Sequence, residues 1–221
     1  MLQPGTLTFI TKLQKNNNKS WFEENRNLFN NAKDDFETLV TDIITSFGKV
    51  DQDIAPLNAK DCVFRQYRDI RFSKDKTPYK GHMGASFDRG GKKSGFAGYY
   101  FHIEPGDKSM AGGGIWMPEA AQLKKIRQEI DYNWEEFFGI INQKDFKNIY
   151  GDLAQGDFKL SREPKGYEKD NPAIEYLKLK TIVAIQTLTD DDLVTKDLLQ
   201  KILSAFTALM PLVKFINRSL E

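Results

Sequence analysis

The spacing of apolar residues changes twice along the chain, from a helical period to an alternating one and back. Between residues 20 and 48, apolar positions recur every three or four residues, which is typical of one buried helical face. They are Leu28, Ala32, Phe36, Leu39, Ile43 and Phe47. Ser20 and Glu23 have the spacing of a capping box, and Gly48 is suited to a left-handed C-terminal cap. With a shorter helix before residue 16, the pattern predicts helices over residues 6–48.

Residues 62–116 are predicted to form a sheet, because apolar and polar positions alternate there. The first strand, CVFRQYRDIRF, has an apolar face of Phe64, Ile70 and Phe72 and a polar face of Arg65, Tyr67, Asp69 and Arg71. Arg68 falls on the apolar face. Three more strands, MGASFDR, GFAGYYFHIEP and KSMAGGGIWMP, follow after short glycine-containing turns. Connections this short favour antiparallel pairing.

The helical period returns after Pro118, which suits a first helical turn. Helices and loop are predicted over 118–172, with 144–172 largely loop, and a further strand over 176–188. Thr189 with Asp192 predicts the start of C-terminal helices over 190–217, and Pro211 is expected to kink or end the last one. Helices before and after an antiparallel sheet predict an α+β fold, in one domain of residues 1–221.

Composition and charge narrow the functional classes. The chain has 221 residues, 40% of them hydrophobic, which is enough for a sizeable core. Lys and Arg number 32 against 31 Asp and Glu, so there is no overall field that would attract nucleic acid or an anionic membrane. A single cysteine, no signal-like start and no apolar run of about 20 residues predict a soluble cytoplasmic protein.

Basic side chains are concentrated in FRQYRDIRFSKDKTPYKGH, residues 64–82. Guanidinium and ammonium groups on one strand and the turn after it are able to surround a phosphate or a carboxylate. The residues expected to bind such a ligand are Arg65, Arg68, Arg71, Lys74, Lys76, Lys80 and His82, with Lys165 from the basic loop KLSREPKGYEKD. An anionic small molecule is therefore the expected partner.

Two other interpretations of this stretch stay open. Arg68 suits a buried ion pair with a helix carboxylate such as Asp35 or Glu37, and the cluster would then be a structural network. In that case Arg68→Ala costs about 3–5 kcal/mol, whereas Arg71→Ala leaves stability nearly intact. Basic residues between aromatics are also typical of single-strand nucleic-acid binding, but the neutral total charge disfavours that partner.

Acid–base and metal chemistry have few candidates. Proton transfer would fall to Asp69, Asp75, His82 or Glu104. The only two histidines, His82 and His102, form with Glu104 a candidate two-histidine, one-carboxylate metal site, although a strand histidine is more often hydrogen-bonded structure. The glycines of AGGG, residues 111–114, predict a bulge, a bend or the close approach of a ligand or helix. None of these features identifies a cofactor.

Four stretches resemble the uncharacterised family catalogued as domain of unknown function 2461. They are residues 64–82, GYYFHIEPG, GGGIWMP and REPKGYEKDNPAIEYLKLK, and the resemblance runs over nearly the whole chain. The family, of bacterial and fungal proteins, has no assigned activity, so the resemblance implies one domain and no catalytic roles. Where the family has Asp-His-Pro, this chain has Asp170, Asn171 and Pro172, which counts against histidine chemistry there. Ligand binding, enzymatic action on an anionic small molecule and a structural network all remain open.

Overall fold

The computed structural model describes residues 1–71 and 73–221, and residue 157 by its backbone alone. Helices precede and follow a single sheet in the described chain, as predicted for an α+β fold. The α-helices are α1 Pro4–Lys15, α2 Lys19–Glu24, α3 Arg26–Phe47, α4 Ala59–Cys62, α5 Ala120–Tyr132, α6 Trp134–Ile141, α7 Lys144–Tyr150, α8 Ile174–Leu177, α9 Asp190–Val194 and α10 Leu198–Leu220.

The predicted N-terminal helices are present, but their ends differ from the prediction. Asn18, and not Ser20, caps α2, because its side chain accepts a hydrogen bond from the Trp21 N–H at 3.0 Å. Gly48 is right-handed, with φ −59°. Glycine is required there for space, since a Cβ would lie 2.8 Å from Ala55 Cα. Leu28, predicted to be buried, is 42% exposed.

The sheet contains the strands β1 Met83–Asp88, β2 Gly98–Ile103, β3 Ser109–Ile115 and β4 Ile182–Leu188. They lie in the order β1-β2-β3-β4, and every neighbouring pair is antiparallel. Three of these strands were predicted from alternation and short turns. The fourth begins later than predicted, because residues 174–177 form α8.

The predicted strand over residues 62–72 is wrong for the described residues, and Phe72 lies outside them. Residues 64–71 form an irregular segment. Val63, just before it, forms an isolated bridge with Ala85 of β1, and Tyr67 forms another with Tyr79. Phe64 and Ile70, expected on a buried face, are each 37% exposed. The polar Gln66 is buried in their place, donating to the carbonyls of Lys80 and His82.

One face of the sheet packs against α3 and α10. Phe101 stacks on Phe36 of α3 at 5.9 Å between ring centroids, and Phe87 and Tyr99 meet Phe206 of α10 at 5.6 and 5.0 Å. These apolar contacts contribute to the hydrophobic core and fix which face of the sheet is covered. The side chains that alternate with them lie on the opposite, open face.

The C-terminal half differs from the prediction at two places. Residues 144–150, predicted as loop, form α7. Pro211 does not end α10, which continues to Leu220. The helix is buried on both sides of the proline, at Leu209 before it and at Leu212 and Phe215 after it. By length and composition alone α10 would be able to cross a membrane, but half of its most apolar window is buried inside the fold.

Asn217, in the last turns of α10, connects this helix to the start of β2. Its side chain is 4% exposed. It accepts from the Ala97 N–H at 2.7 Å and donates to the Ala97 carbonyl at 3.1 Å. The loop between β1 and β2 is thereby held by the far end of the chain.

Candidate ligand-binding groove on the open face of the sheet

The open face of the sheet is the floor of a groove of about 890 Å³. Two rows of cross-strand neighbours form this floor. One row is Asp88, Gly98, Gly114 and Val183, and the next is Ser86, Tyr100, Gly112 and Ile185. Residues of the loops around the sheet form the walls. The groove therefore joins segments that are distant in the sequence.

Glycines leave the middle of the floor without side chains. A Cβ on Gly112 would overlap the carbonyl oxygen of Ala184, and a Cβ on Gly114 would overlap that of Ile182. Gly114 also has φ +117°, which L side chains rarely adopt. On the opposite side of β3, a Cβ on Gly113 would lie 2.9 Å from Leu209 of α10. Of the predicted alternatives, the close approach of a helix is thus confirmed for α10, and the backbones of β2 and β4 also lie too close for a Cβ at these glycines.

Aromatic and apolar side chains form the walls of the groove. Trp116 and Phe158 meet edge to face at 4.8 Å between centroids, and Phe64 and Phe96 belong to the same lining. Trp116 is 60% exposed and Met117 59%. Exposed aromatic groups beside a floor of glycine backbone are suited to a ligand with a planar apolar portion.

Two lysines lie over the ring of Phe64 at one wall. The ammonium nitrogens of Lys80 and Lys92 are 5.2 and 5.1 Å from the ring centroid. Lys92 also donates to the Val63 carbonyl at 2.6 Å. Within the described part of the chain, neither lysine has a carboxylate at salt-bridge distance. Burial, and then the charges of Arg65 and Lys92, lower the pKa of Lys80.

Asp88 contributes an acidic group to the floor. Its Oδ1 accepts a hydrogen bond from Ser86 Oγ at 2.7 Å. Burial raises the pKa of the Asp88 carboxyl, against the opposing effects of Ser86 and Lys92. The groove thus has a carboxyl group as well as ammonium groups.

Hydrogen bonds fix the protonation of His102. Its Nε2 lies 3.0 Å from the Lys108 carbonyl, which only accepts, so Nε2 carries the hydrogen. Nδ1 therefore accepts from the Tyr100 hydroxyl at 3.1 Å. Burial lowers the pKa of His102 and raises that of Tyr100 to about 12. Both side chains are neutral at pH 7.

The candidate metal residues are close together, but His102 is already engaged. The His82 and His102 rings stack at 5.1 Å, and His82 Nδ1 lies 3.8 Å from Glu104. Burial, followed by the charge of His102, lowers the pKa of His82 to about 4, so this contact is not an ion pair at neutral pH. Both ring nitrogens of His102 have hydrogen-bond partners, and the described residues contain no group of three ligand-type side chains arranged for a metal.

The chain matches a known protein family over a region that includes the whole groove. The conserved hypothetical protein family DUF2461 matches residues 5–215. The chain belongs to this family. Searches of curated proteins and of solved structures found no match. All the lining residues of the groove, from Phe64 to Ile185, lie inside the DUF2461 region.

Most of the predicted basic cluster of this DUF2461 chain lies outside the groove. Only Lys80 and His82 of the expected ligand residues belong to the lining. The others, Arg65, Arg68, Arg71, Lys74, Lys76 and Lys165, do not. The groove lining therefore contains only Lys80 and His82 of the predicted basic cluster, together with Lys92 from another loop.

Two of the three arginines of the predicted cluster, Arg68 and Arg71, pair with carboxylates of their own segment. Arg68 pairs with Asp75 and also donates to Thr77 at 2.9 Å, while Arg71 contacts Asp69 at 2.7 Å. The expected pairing of Arg68 with Asp35 or Glu37 is wrong, since Asp35 accepts from Thr6 and Gln3 and Glu37 pairs with Lys33. Hydrogen bonds within the segment lower the pKa values of two candidate acids. The main donor to Asp69 is the Arg71 side chain, and the main donor to Asp75 is the Thr77 N–H.

Arg68→Ala is therefore expected to cost about 1 kcal/mol or less, instead of the loss typical of a buried pair. The Arg68 side chain is 29% exposed and Asp75 52%, so water replaces the lost contact. Urea denaturation compares the free energy of unfolding of this variant with that of Arg65→Ala, a substitution at an exposed neighbouring residue. A loss of 3 kcal/mol or more relative to Arg65→Ala would restore the buried-network interpretation.

The sequence analysis missed Asp88, Lys92, Trp116 and Phe158. Lys92 belongs to the GGKKSG turn, which indicated only a hairpin. The signal that was available is the glycine run before Trp116 and Met117, because glycines on an open sheet face leave room for a ligand.

Proposed function

We propose that this protein, located in the cytoplasm, binds a small ligand that combines a planar apolar group with a phosphate or carboxylate. The observation that carries the proposal is the placement of Lys80 and Lys92 over Phe64, without a carboxylate at salt-bridge distance in the described chain.

Fractionation of cells that produce the full chain tests the proposed cytoplasmic location, and recovery of the protein with membranes would contradict it.

An anion is the group that this arrangement lacks. Two like charges share one partly buried aromatic wall, and burial lowers the pKa of Lys80. A phosphate or carboxylate between the ammonium groups would offset their repulsion and accept charge-assisted hydrogen bonds. Lys92 is already oriented by the Val63 carbonyl, so less side-chain freedom is lost on binding.

The rest of the groove fits an apolar ring system. The volume of about 890 Å³ lies within the range of small-molecule sites, about 300–1,000 Å³. Gly112 and Gly114 leave the middle of the floor without side chains, and Trp116 and Phe158 supply aromatic walls. Stacking on these groups would provide affinity, while the lysines provide selectivity for anions.

Calorimetry with two anionic probes, 2-naphthoate and 1-naphthyl phosphate, and with the neutral 2-naphthamide tests the proposal. The anions are expected to bind more tightly than the amide. Lys80→Met and Lys92→Met are each expected to weaken binding of the anions about tenfold or more, because each removes a charged donor. Lys74→Met is the matched control, since Lys74 belongs to the same loop but not to the lining.

Two outcomes would contradict the proposal. The first is absence of binding by either anionic probe. The second is an equal loss of affinity in Lys74→Met and Lys80→Met, which would indicate a diffuse effect of charge and not a defined site.

A further inference from the structure

The geometry points to Asp88 as a second recognition residue in the groove, one that accepts a hydrogen bond from an amine, amide or hydroxyl group of the ligand. This inference rests on the proposed function. It deepens that function, because the ligand would carry a hydrogen-bond donor in addition to its anionic group and its planar apolar portion.

The position of the carboxyl group in the floor supports this role. Asp88 ends β1 and lies in the same cross-strand row as Gly98 and Gly114. A Cβ on Gly98 would overlap Asp88 Oδ1, so the carboxyl lies over the Gly98 backbone and not out in solvent. With glycine on two successive neighbouring strands, no side chain separates the carboxyl from the ligand space.

The hydrogen bonds of Asp88 leave part of its accepting capacity unused. Oδ1 accepts from Ser86 Oγ. Among the described residues, Oδ2 has no hydrogen-bond partner and no cation at salt-bridge distance. The ammonium group of Lys92, whose charge acts on this carboxyl, donates its hydrogen bond to the Val63 carbonyl instead. A carboxylate has about four accepting positions, so a ligand donor would find a free one.

A purely structural role explains the Asp88 side chain less well than ligand recognition does. The turn after β1 closes through the backbone, with the Gly91 N–H donating to the Asp88 carbonyl at 2.8 Å. The side chain takes no part in that bond. Burial raises the pKa of the carboxyl, which is a cost that a purely structural position avoids with an uncharged residue.

Matched probes separate this inference from the proposed function. The probes are 2-naphthoate and its 3-, 5- and 6-amino derivatives, which add a neutral aromatic amine at different positions. The wild-type protein is expected to bind at least one amino derivative about tenfold more tightly than 2-naphthoate. In Asp88→Ala this preference should disappear, so that the ratio of the affinities for the amino derivative and for 2-naphthoate falls to about one.

The controls make each outcome decisive. Asp88→Ser, with circular dichroism and the urea midpoint of both variants, shows whether the fold is kept. Equal binding of all four probes by the wild type, or an unchanged preference in both variants, would overturn the role of Asp88 alone. Absence of binding by all four probes would overturn the proposed function and this inference with it.

Discussion

Gly113→Ala is expected to lower the free energy of unfolding by about 3–5 kcal/mol, the largest effect predicted for a single added methyl group in this protein. The new Cβ would overlap the carbonyl oxygen of Gly98 and lie 2.8 Å from Tyr99 Cα. Gly113 also has φ +154°, a conformation that L residues rarely adopt. Neither obstacle is a flexible side chain, so β2 and β3 would have to separate locally. Urea denaturation measures the loss.

Gly139→Ala provides the matched control, because it adds the same methyl group in a position without constraints. Gly139 lies inside α6, and a Cβ there meets nothing within 4 Å. The substitution should stabilise the protein by about 0.5–1 kcal/mol, through helix propensity and a less flexible unfolded chain. Similar free-energy changes in the two variants would show that the sheet has room at residue 113.

Lys214→Met should be the most damaging change among the charged residues, with a loss of about 2–3 kcal/mol at pH 7 after allowance for the exposure of the amine. Asp51 is 2% exposed and accepts from Lys214 at 2.6 Å and from the Tyr99 hydroxyl at 2.7 Å. Burial alone would raise the pKa of Asp51, but these hydrogen bonds hold it below its ordinary value. The variant would retain a buried carboxylate without its cation.

The pH dependence follows from the direction of that pKa shift. In the wild type, a lowered pKa means that Asp51 stabilises the fold above its unfolded pKa of about 3.9, and that this contribution is lost as the pH falls through the folded value. In Lys214→Met, burial without the cation raises the pKa, so protonation relieves the damage. The deficit of the variant should therefore be greatest at neutral pH and shrink as the pH falls, beginning at the raised pKa of Asp51 in the variant, above the unfolded value of about 3.9.

Lys201→Met is the control for this experiment. Lys201 pairs with Asp192 on the surface, where both side chains are partly exposed. Its loss is expected to stay within about 1 kcal/mol. Denaturation midpoints between pH 3 and pH 7 compare the variants, and a deficit of Lys214→Met that is constant over this range would contradict the role of Asp51.

Regular elements could be predicted wherever local pattern and local contacts agree. The strands β1 to β3 alternate and are joined by short turns, and α3 and α10 carry long apolar stripes. The alternation of residues 64–71 was misleading, because contacts with distant residues decide that segment. Tyr67 of this segment bridges to Tyr79, and Asn17, 62 residues before Tyr79, bonds to both its N–H and its carbonyl. No local pattern contains this information.

The candidate site was predictable only in part for a related reason. Lys80 and His82 stood out because they belong to a basic run. Asp88 and Lys92 belong to no such run, and their importance depends on which face of the sheet α10 leaves open. Alternation distinguishes two faces of a strand, but it does not show which loops will surround the uncovered one.

The link between Asn217 and Ala97 has a consequence for the order of events during protein synthesis. The strands and loops that line the groove are all made by residue 185, and α10 follows them. The hydrogen bonds that hold the loop between β1 and β2 become possible only when residue 217 has left the ribosome. A nascent chain would therefore complete its groove only near the end of synthesis, and ligand capture would be a late step of co-translational folding.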